Sequence, residues 1–161
     1  AIVISPGILE KVQIIENAVW LMHRLGIEEP KVALLNAIEV VNPAMPSTIE
    51  SAAITLMNMR NQIKGAIVDG PLSLDVAIDE KSAKVKGVKS PVAGNADVLI
   101  VPNVEAGNLM GKALVQAGGG RAAGVVLGAR VPVVLTSRSQ SPESRLLSMA
   151  LGVFLSGREA D

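Results

Sequence analysis

The stretch VLIVPNVEAGN at residues 98–108 decides the fold class of this chain. It predicts a short buried strand, Val98 to Val101, that breaks at Pro102 into a polar loop and then enters a helix. Further along, VPVVLTSRS at residues 131–139 repeats the arrangement. In open α/β sheets, ligands bind at such junctions, beyond the carboxyl ends of the strands. The two loops are therefore the first candidates for a functional site.

The composition favours the same fold class. The chain has 161 residues, of which 49% are hydrophobic, and its only aromatic side chains are Trp20 and Phe154. Its core must therefore consist of aliphatic residues, which suits a mostly parallel sheet flanked by helices better than a β-sandwich. This length fits a single domain.

Hydrophobic periodicity and turn residues predict the order of the elements. Helices are expected after Ser5-Pro6 and up to Gly26, from a capping box at Ser47 and Glu50 to Met59, and at 72–78, 107–117 and 142–154. Strands are expected at 31–35, 65–69, 98–101, 124–127 and 131–135. Gly70-Pro71 is expected to end the second strand, and the polar residues 79–95 to form a flexible excursion.

Several functional classes are excluded by composition. The net charge is zero and base-stacking aromatics are nearly absent, so no nucleic-acid partner is expected. The chain has no cysteine and a single histidine, His23, which argues against disulfides, a thiol nucleophile, a Ser-His-Asp triad and a built-in metal site. No apolar run is long enough to span a membrane and no signal peptide is evident, so a cytoplasmic protein is expected.

The second loop offers hydroxyls and a guanidinium just before a helix. Ser137, Arg138 and Ser139 precede Ser141, an expected N-cap, and Pro142, an expected first helical residue. This arrangement suits an anionic oxygen cluster such as phosphate. The alternative is that the serines only cap the helix while Arg138 is solvated, and spacing alone leaves both interpretations open.

The first loop and an earlier strand end carry further candidates. Asn103, Glu105 and Asn108 either form a turn and a first helical turn, or line a cleft and contact substrate. Asp69 is expected at the carboxyl end of a strand, although Asp before Gly is also ordinary turn chemistry.

Four strings carry a resemblance to a known family: IVDGPLSLDVAI (67–78), KGVKSPVAGNADVLIVPNVEAGN (86–108), AGVVLGARVPVVLTSRS (123–139) and SRLLSMALG (144–152). Together they resemble the phosphate acetyltransferase and phosphate butyryltransferase family, closer to the butyryl-type branch. The resemblance implies an isocitrate/isopropylmalate dehydrogenase-like fold. Family members are about twice as long, and this chain resembles their C-terminal half. The implied division is a second α/β domain at 1–130 and, at 131–161, a strand-loop-helix returning toward the first domain.

The pair of strands at 124–127 and 131–135 has two possible arrangements. Their short connector, Gly128-Ala129-Arg130, allows antiparallel pairing, or the chain passes here from one sheet to another. The return to the first domain implied by the resemblance favours the second.

The resemblance also implies an activity, substrates and roles for residues. The family transfers a short acyl group between coenzyme A and inorganic phosphate through an acyl phosphate, and coenzyme A is a substrate, with no tightly bound cofactor. Ser137 and Arg138 match the family's catalytic Ser-Arg pair. Ser144 stands where the acetyl branch has its acidic base, which leaves the base unidentified. The residues expected to bind substrate, from their positions in the loops and at the strand ends, are Asp69, Asn103, Glu105, Asn108, Ser139 and Ser144.

Two other functions remain as alternatives. One is a non-catalytic dimerisation domain of the same enzyme, since a homodimer is implied and part of the site is expected outside this chain. The other is a nucleotide-dependent dehydrogenase of related fold. Against the dehydrogenase, the glycine pattern at 118–123 follows a helix and precedes a strand, whereas the dinucleotide fingerprint follows a strand.

Overall fold

The structure, a computed structural model, describes residues 2–137 and 140–157. These residues form two compact units, Ala1–Asn108 and Leu109–Asp161. The elements of the first unit are α1 (Ile8–Arg24), β1 (Lys31–Leu35), α2 (Pro46–Met59), β2 (Ile67–Leu72), α3 (Leu74–Ile78), α4 (Glu80–Val85) and β3 (Val98–Ile100). Helix α5 (Val104–Lys112) crosses the boundary, and a π-helical turn (Ala113–Ala117) and α6 (Pro142–Ser156) follow.

The first unit contains a three-stranded parallel sheet in the order β2-β1-β3, which confirms the predicted α/β class. Strand β1 lies in the centre, and Val32 pairs with Val68 on one side and Val98 on the other. Its apolar run is almost wholly buried, as expected for the central strand of a parallel sheet. The core joins this sheet to α1 and α2 through Ile15, Val19, Val32, Leu34, Ile54, Ile63, Val68 and Ile100.

Strand β2 runs through Gly70 and Pro71, so the expectation that these residues end the strand is wrong. A Cβ atom at position 70 would lie 2.6 Å from the Cβ of Leu34 and 2.8 Å from its carbonyl oxygen. Glycine is therefore required here for close approach of β2 to β1, and not for a turn. The pairing register shifts between Ala33 and Leu35, which absorbs the irregularity.

The segment 79–95 is not the expected flexible excursion, because it contains α4. The Asp79 carboxylate caps this helix by accepting from the Ser82 backbone N–H at 2.8 Å and from the Ser82 hydroxyl at 2.6 Å. After the helix, Val92 is fully buried, and the Gly94 N–H donates to the Val76 carbonyl at 2.7 Å.

Two helix starts also differ from the expectation. Helix α1 begins at Ile8 with Gly7 as its N-cap, and not at Ser5-Pro6. Helix α2 has Met45 at its N-cap and Pro46 in its first turn, so the Ser47/Glu50 capping box is wrong. The Glu50 carboxylate instead pairs with Lys11 of α1.

The second unit has little regular structure before α6. The predicted strands 124–127 and 131–135 reduce to one antiparallel bridge between Val126 and Val133, so the antiparallel alternative is the one observed. The Ser148 hydroxyl of α6 accepts from the Gly124 N–H at 2.9 Å, which joins this hairpin-like segment to the helix. Gly152 lets the helix approach Val134 closely, since a Cβ atom there would lie 2.9 Å from the valine side chain.

Candidate functional site

The three parallel strands end at the same edge of the sheet, and polar segments follow each of them. Asn36 follows β1, Ser73 follows β2, and Val101-Pro102-Asn103 follow β3. This carboxyl edge is where α/β sheets bind their ligands. It carries two features, a small cleft beside β1 and β3 and a charged cluster beside β1 and β2.

The cleft combines an apolar floor with polar walls. Its lining comes from the ends of β1 and β3 and from helices α1 and α2: Lys11, Leu34, Leu35, Ser47, Ser51, Ile100, Val101 and Pro102. Its volume of about 10 Å³ is room for about one water molecule.

Lys11 is the charged group of this cleft. It lies on the buried stripe of α1, one and two turns before Ile15 and Val19, and is only 6% exposed. Its ammonium donates to Glu50, which keeps a buried cation paired. The pair also joins α1 to α2, so it stabilises the packing of the two helices and neutralises the charge in the cleft.

The charged cluster consists of Glu39, Ser73, Asp75 and Lys86. The Lys86 ammonium lies 3.0 Å from Glu39 Oε1, 2.9 Å from Asp75 Oδ2 and 3.1 Å from the Ser73 hydroxyl oxygen. The Ser73 hydroxyl shares its proton between Asp75 Oδ1, at 2.6 Å, and the Glu39 carboxylate. The cluster joins the segments that leave β1 and β2 to the end of α4.

These contacts shift the titration of the cluster. The hydrogen bond from Ser73, followed by that from Lys86, lowers the pKa of Asp75 from 3.8 to about 2. The Ser73 hydrogen bond also lowers the pKa of Glu39. The hydrogen bonds to Asp75 and then Glu39 raise the pKa of Lys86. All three groups therefore carry their charges at neutral pH.

The residues of the first predicted loop lie at the start of helix α5. The Asn103 carboxamide oxygen accepts from the Ala106 N–H at 2.9 Å and so caps α5, which begins three residues earlier than predicted. Glu105 lies exposed in the first turn, and Asn108 is exposed one turn later. These contacts favour the turn-forming alternative for Asn103.

Asp69 does not lie at the end of a strand, and that expectation is wrong. It pairs in register with Ala33, three residues before β2 ends at Leu72. Its carboxylate accepts from the neighbouring Gly70 N–H at 2.8 Å. The reason for expecting Asp69 to bind a ligand, its position at the carboxyl end of a strand, therefore does not hold.

The second predicted loop is described only in part, because Arg138 and Ser139 lie outside the described residues. Ser137 is exposed, and its N–H donates to Gln140 Oε1 at 3.2 Å. Ser141 is the N-cap of α6 and accepts from the Ser144 N–H at 3.2 Å, as predicted. The Ser144 hydroxyl lies 3.2 Å from that of Ser141, and Ser144 is only 7% exposed.

Sequence reasoning missed the polar groups of the carboxyl edge. One signal was available for Lys11, since a lysine on the apolar stripe of an amphipathic helix needs a partner. Ser73 directly follows β2 and Asp75 lies in the first turn of α3, but the strand was predicted to end at Asp69, so their place at the carboxyl edge was missed. The partners Glu50 and Lys86 are distant in sequence and carry no local signal.

In residues 2–137 and 140–157, no group of three or more histidine, aspartate and glutamate side chains is placed to hold a metal ion. In the same residues, no helix is both long and apolar enough to cross a bilayer.

The chain belongs to the phosphate acetyl/butaryl transferase family, whose pattern it matches over residues 1–153. This membership confirms the resemblance carried by the four strings.

Some relatives are named as acetyltransferases and others as butyryltransferases. The chain is 53% identical over 148 residues to a phosphate acetyltransferase of Thermotoga maritima, an alignment that covers 92% of this chain and 50% of the relative. It is 46% identical over 154 residues to a phosphate butyryltransferase of Clostridium acetobutylicum, with 96% and 51% covered. The chain thus spans about half the length of the curated relatives it matches.

A solved structure has the same fold. The crystal structure of a branched-chain phosphotransacylase from Enterococcus faecalis V583 matches this chain with a TM-score of 0.88 and 40% identity. The match covers 96% of this chain and 55% of the other.

Proposed function

We propose that the full-length parent of this chain moves a short acyl group, butyryl or acetyl, between coenzyme A and inorganic phosphate. The observation that carries the proposal is family membership over residues 1–153, with relatives named for both acyl groups. The substrates are acyl-CoA and phosphate in one direction and acyl phosphate and coenzyme A in the other. The reaction uses coenzyme A as a substrate from the cytoplasmic pool and needs no tightly bound cofactor.

The reaction is a direct transfer. The coenzyme A thiolate attacks the carbonyl carbon of the acyl phosphate, a carbon–sulfur bond forms, and the bond from that carbon to the phosphate oxygen breaks to release phosphate. No enzyme nucleophile is required, which agrees with the absence of cysteine from these 161 residues. The thiol has a pKa near 8.5, so modest assistance suffices for its deprotonation.

We assign the catalytic roles to Ser137 and Arg138. Arg138 offers bidentate donors to the phosphoryl oxygens, and Ser137 donates to the same anion or to the developing oxyanion. The exposed position of Ser137 just before α6 supports this assignment. The proposed substrate-binding residues are Asp69, Asn103, Glu105, Asn108, Ser139 and Ser144. Among them, Asp69 lies within β2 and Asn103 caps α5, which favours a structural role for these two.

The proposed division places only part of the active site in this chain. Residues 1–130 are the second α/β domain and 131–161 return toward the first domain, which lies in the part of the parent outside these 161 residues. The half-length match supports a parent that is longer than this chain. The parent is proposed to be a homodimer, and the exposed apolar side chains Ile49, Leu56 and Met59 of α2 support an interface there.

The test is an activity assay with two proteins. The full-length parent is expected to turn over butyryl-CoA or acetyl-CoA with phosphate, releasing free thiol, while residues 1–161 alone turn over little or none. A parent without activity on either substrate would overturn the proposed function. Full activity of residues 1–161 would overturn the division of the site and leave the reaction standing.

A further inference from the structure

Gln140 binds both backbone groups of Ser137. The Gln140 N–H donates to the Ser137 carbonyl oxygen at 3.1 Å, and the Gln140 carboxamide oxygen Oε1 accepts from the Ser137 N–H at 3.2 Å. The first of these hydrogen bonds uses the backbone of Gln140 and the second uses its side chain. Only the second therefore depends on which residue occupies position 140.

The two hydrogen bonds restrain the direction in which the Ser137 side chain leaves the backbone. The N–H and the carbonyl of Ser137 belong to the two planar peptide groups that flank its Cα atom, and only the dihedrals φ and ψ lie between them. Because both peptide groups are held by the same residue, φ and ψ are restrained together, and so is the direction of the Cα–Cβ bond. The hydroxyl is then left with its staggered χ1 rotamers.

Gln140 is supported by an anchored helix start. It directly precedes Ser141, whose hydroxyl caps α6 by accepting from the Ser144 N–H. One turn later, the fully buried Ser148 hydroxyl donates to the Ser144 carbonyl at 2.7 Å and accepts from the Gly124 N–H at 2.9 Å. The first turns of α6 are thereby joined to the hairpin-like segment, so the residue that holds Ser137 has a fixed neighbour.

The fold has little need of the Gln140 side chain. Ser137 is exposed, so water can take the place of the carboxamide oxygen at its N–H. Helix α6 has its own cap in Ser141, and Gln140 lies before that cap. A hydrogen bond at an exposed group replaces one with water and adds little to stability. What the Gln140 side chain supplies is the orientation of Ser137.

We propose that Gln140 is a positioning residue for the reaction and acts by orienting the Ser137 hydroxyl. This inference rests on the proposed function, in which Ser137 donates to the phosphate or to the developing oxyanion. Such a donor stabilises a transition state best when it is held in place before the charge develops. In this assignment Gln140 acts on Ser137 and not on the reacting atoms, so its whole effect passes through Ser137.

The experiment is a double-mutant cycle in the full-length parent, made of Gln140→Met, Ser137→Ala and the double variant. Methionine keeps the length of the side chain and removes the acceptor. Because one neutral hydrogen bond is lost, Gln140→Met should lower kcat about fivefold, or raise the Kd of inorganic phosphate by the same factor. In the Ser137→Ala background, the same substitution should change neither quantity by more than about twofold.

Alanine at position 137 keeps the two backbone groups that Gln140 binds, so a purely structural effect of Gln140→Met would persist in that background. The Kd of phosphate is measured by calorimetry and needs no turnover, so an inactive Ser137→Ala variant still completes the cycle. The matched control is Gln13→Met, which replaces an exposed glutamine of α1 and should leave kcat and the Kd of phosphate unchanged.

The inference requires that kcat or the Kd of phosphate shows a loss that depends on Ser137. Equal losses in both backgrounds would overturn it, because Gln140 would then act independently of Ser137. An unchanged kcat together with an unchanged Kd in Gln140→Met would also overturn it, and in both cases the proposed function stands. A parent that turns over neither butyryl-CoA nor acetyl-CoA with phosphate overturns the proposed function and this inference together.

Discussion

Replacing Lys11 with methionine tests whether the ion pair in the cleft stabilises the first unit. The Lys11 side chain is 7% exposed and that of Glu50 is 30% exposed. The substitution keeps the apolar stem of the side chain but leaves a half-buried carboxylate without its cation. Removing one partner of a buried pair costs about 3–5 kcal/mol, and the partial exposure of Glu50 places the expected loss near 3 kcal/mol.

The assay is equilibrium unfolding in urea, followed by circular dichroism, with the free energy of unfolding extrapolated to water. The double variant Lys11→Met, Glu50→Leu should recover most of the loss, because replacing both charges with apolar groups leaves no unpaired carboxylate. The matched control is Lys84→Met in the exposed pair of Lys84 and Glu80, whose side chains are 78% and 59% exposed. It should cost about 0.5 kcal/mol or less.

The reasoning fails if Lys11→Met costs no more than the Lys84→Met control. It also fails if the double variant is as unstable as the single one, since the loss would then come from packing of the lysine stem and not from the stranded carboxylate.

Three further predictions concern titration, catalysis and assembly. The depressed pKa of Asp75 stabilises the fold above pH 3.8, and this contribution should disappear as the pH falls toward 2. In the Ser73→Ala variant, the NMR titration midpoint of Asp75 should rise from about 2 toward 3.8. Equal midpoints in the variant and the unaltered protein would contradict the role of Ser73 in the cluster. Arg138→Ala in the parent should lower kcat about a hundredfold without changing the melting temperature. Arg138→Lys should restore only part of the rate. A normal rate in Arg138→Ala would show that the loop only caps the helix. The chain should self-associate in sedimentation velocity, and a monomer at high micromolar concentration would contradict this.

The sequence predicted elements whose signal is local. Strand β1 was predicted with its observed ends, Lys31 and Leu35, because a continuous aliphatic run is typical of a central parallel strand. The start of α6 was predicted from Ser141 and Pro142, which act on the helix they precede. In these cases the residues that determine the structure are neighbours in the chain.

Contacts between distant residues account for one failure wholly and for another in part. Gly70-Pro71 predicts a turn by local rules, but the close approach of Leu34 requires glycine within β2. The polar segment 79–95 is ordered because Asp79 caps a short helix and Val92 is buried, and only the second of these depends on distant residues.

The candidate site shows the same limit. Lys11 was visible as a charge on an apolar stripe, but its partner Glu50 lies 39 positions away and was assigned to a capping box. Likewise, Lys86 meets Glu39 across 47 positions. Ion pairs that join separate elements are determined by the packing of those elements, which sequence spacing does not specify.

The pairing of the lysines bears on which residues can supply positive charge to the phosphate in the proposed reaction. Both lysines at the carboxyl edge, Lys11 and Lys86, are already matched by carboxylates, Lys11 by one and Lys86 by two. Neither therefore supplies uncompensated positive charge to a phosphate, which needs bidentate or multiple cationic donors to leave water. Under the proposed function, Arg138 is the residue of this chain that is assigned to supply that charge.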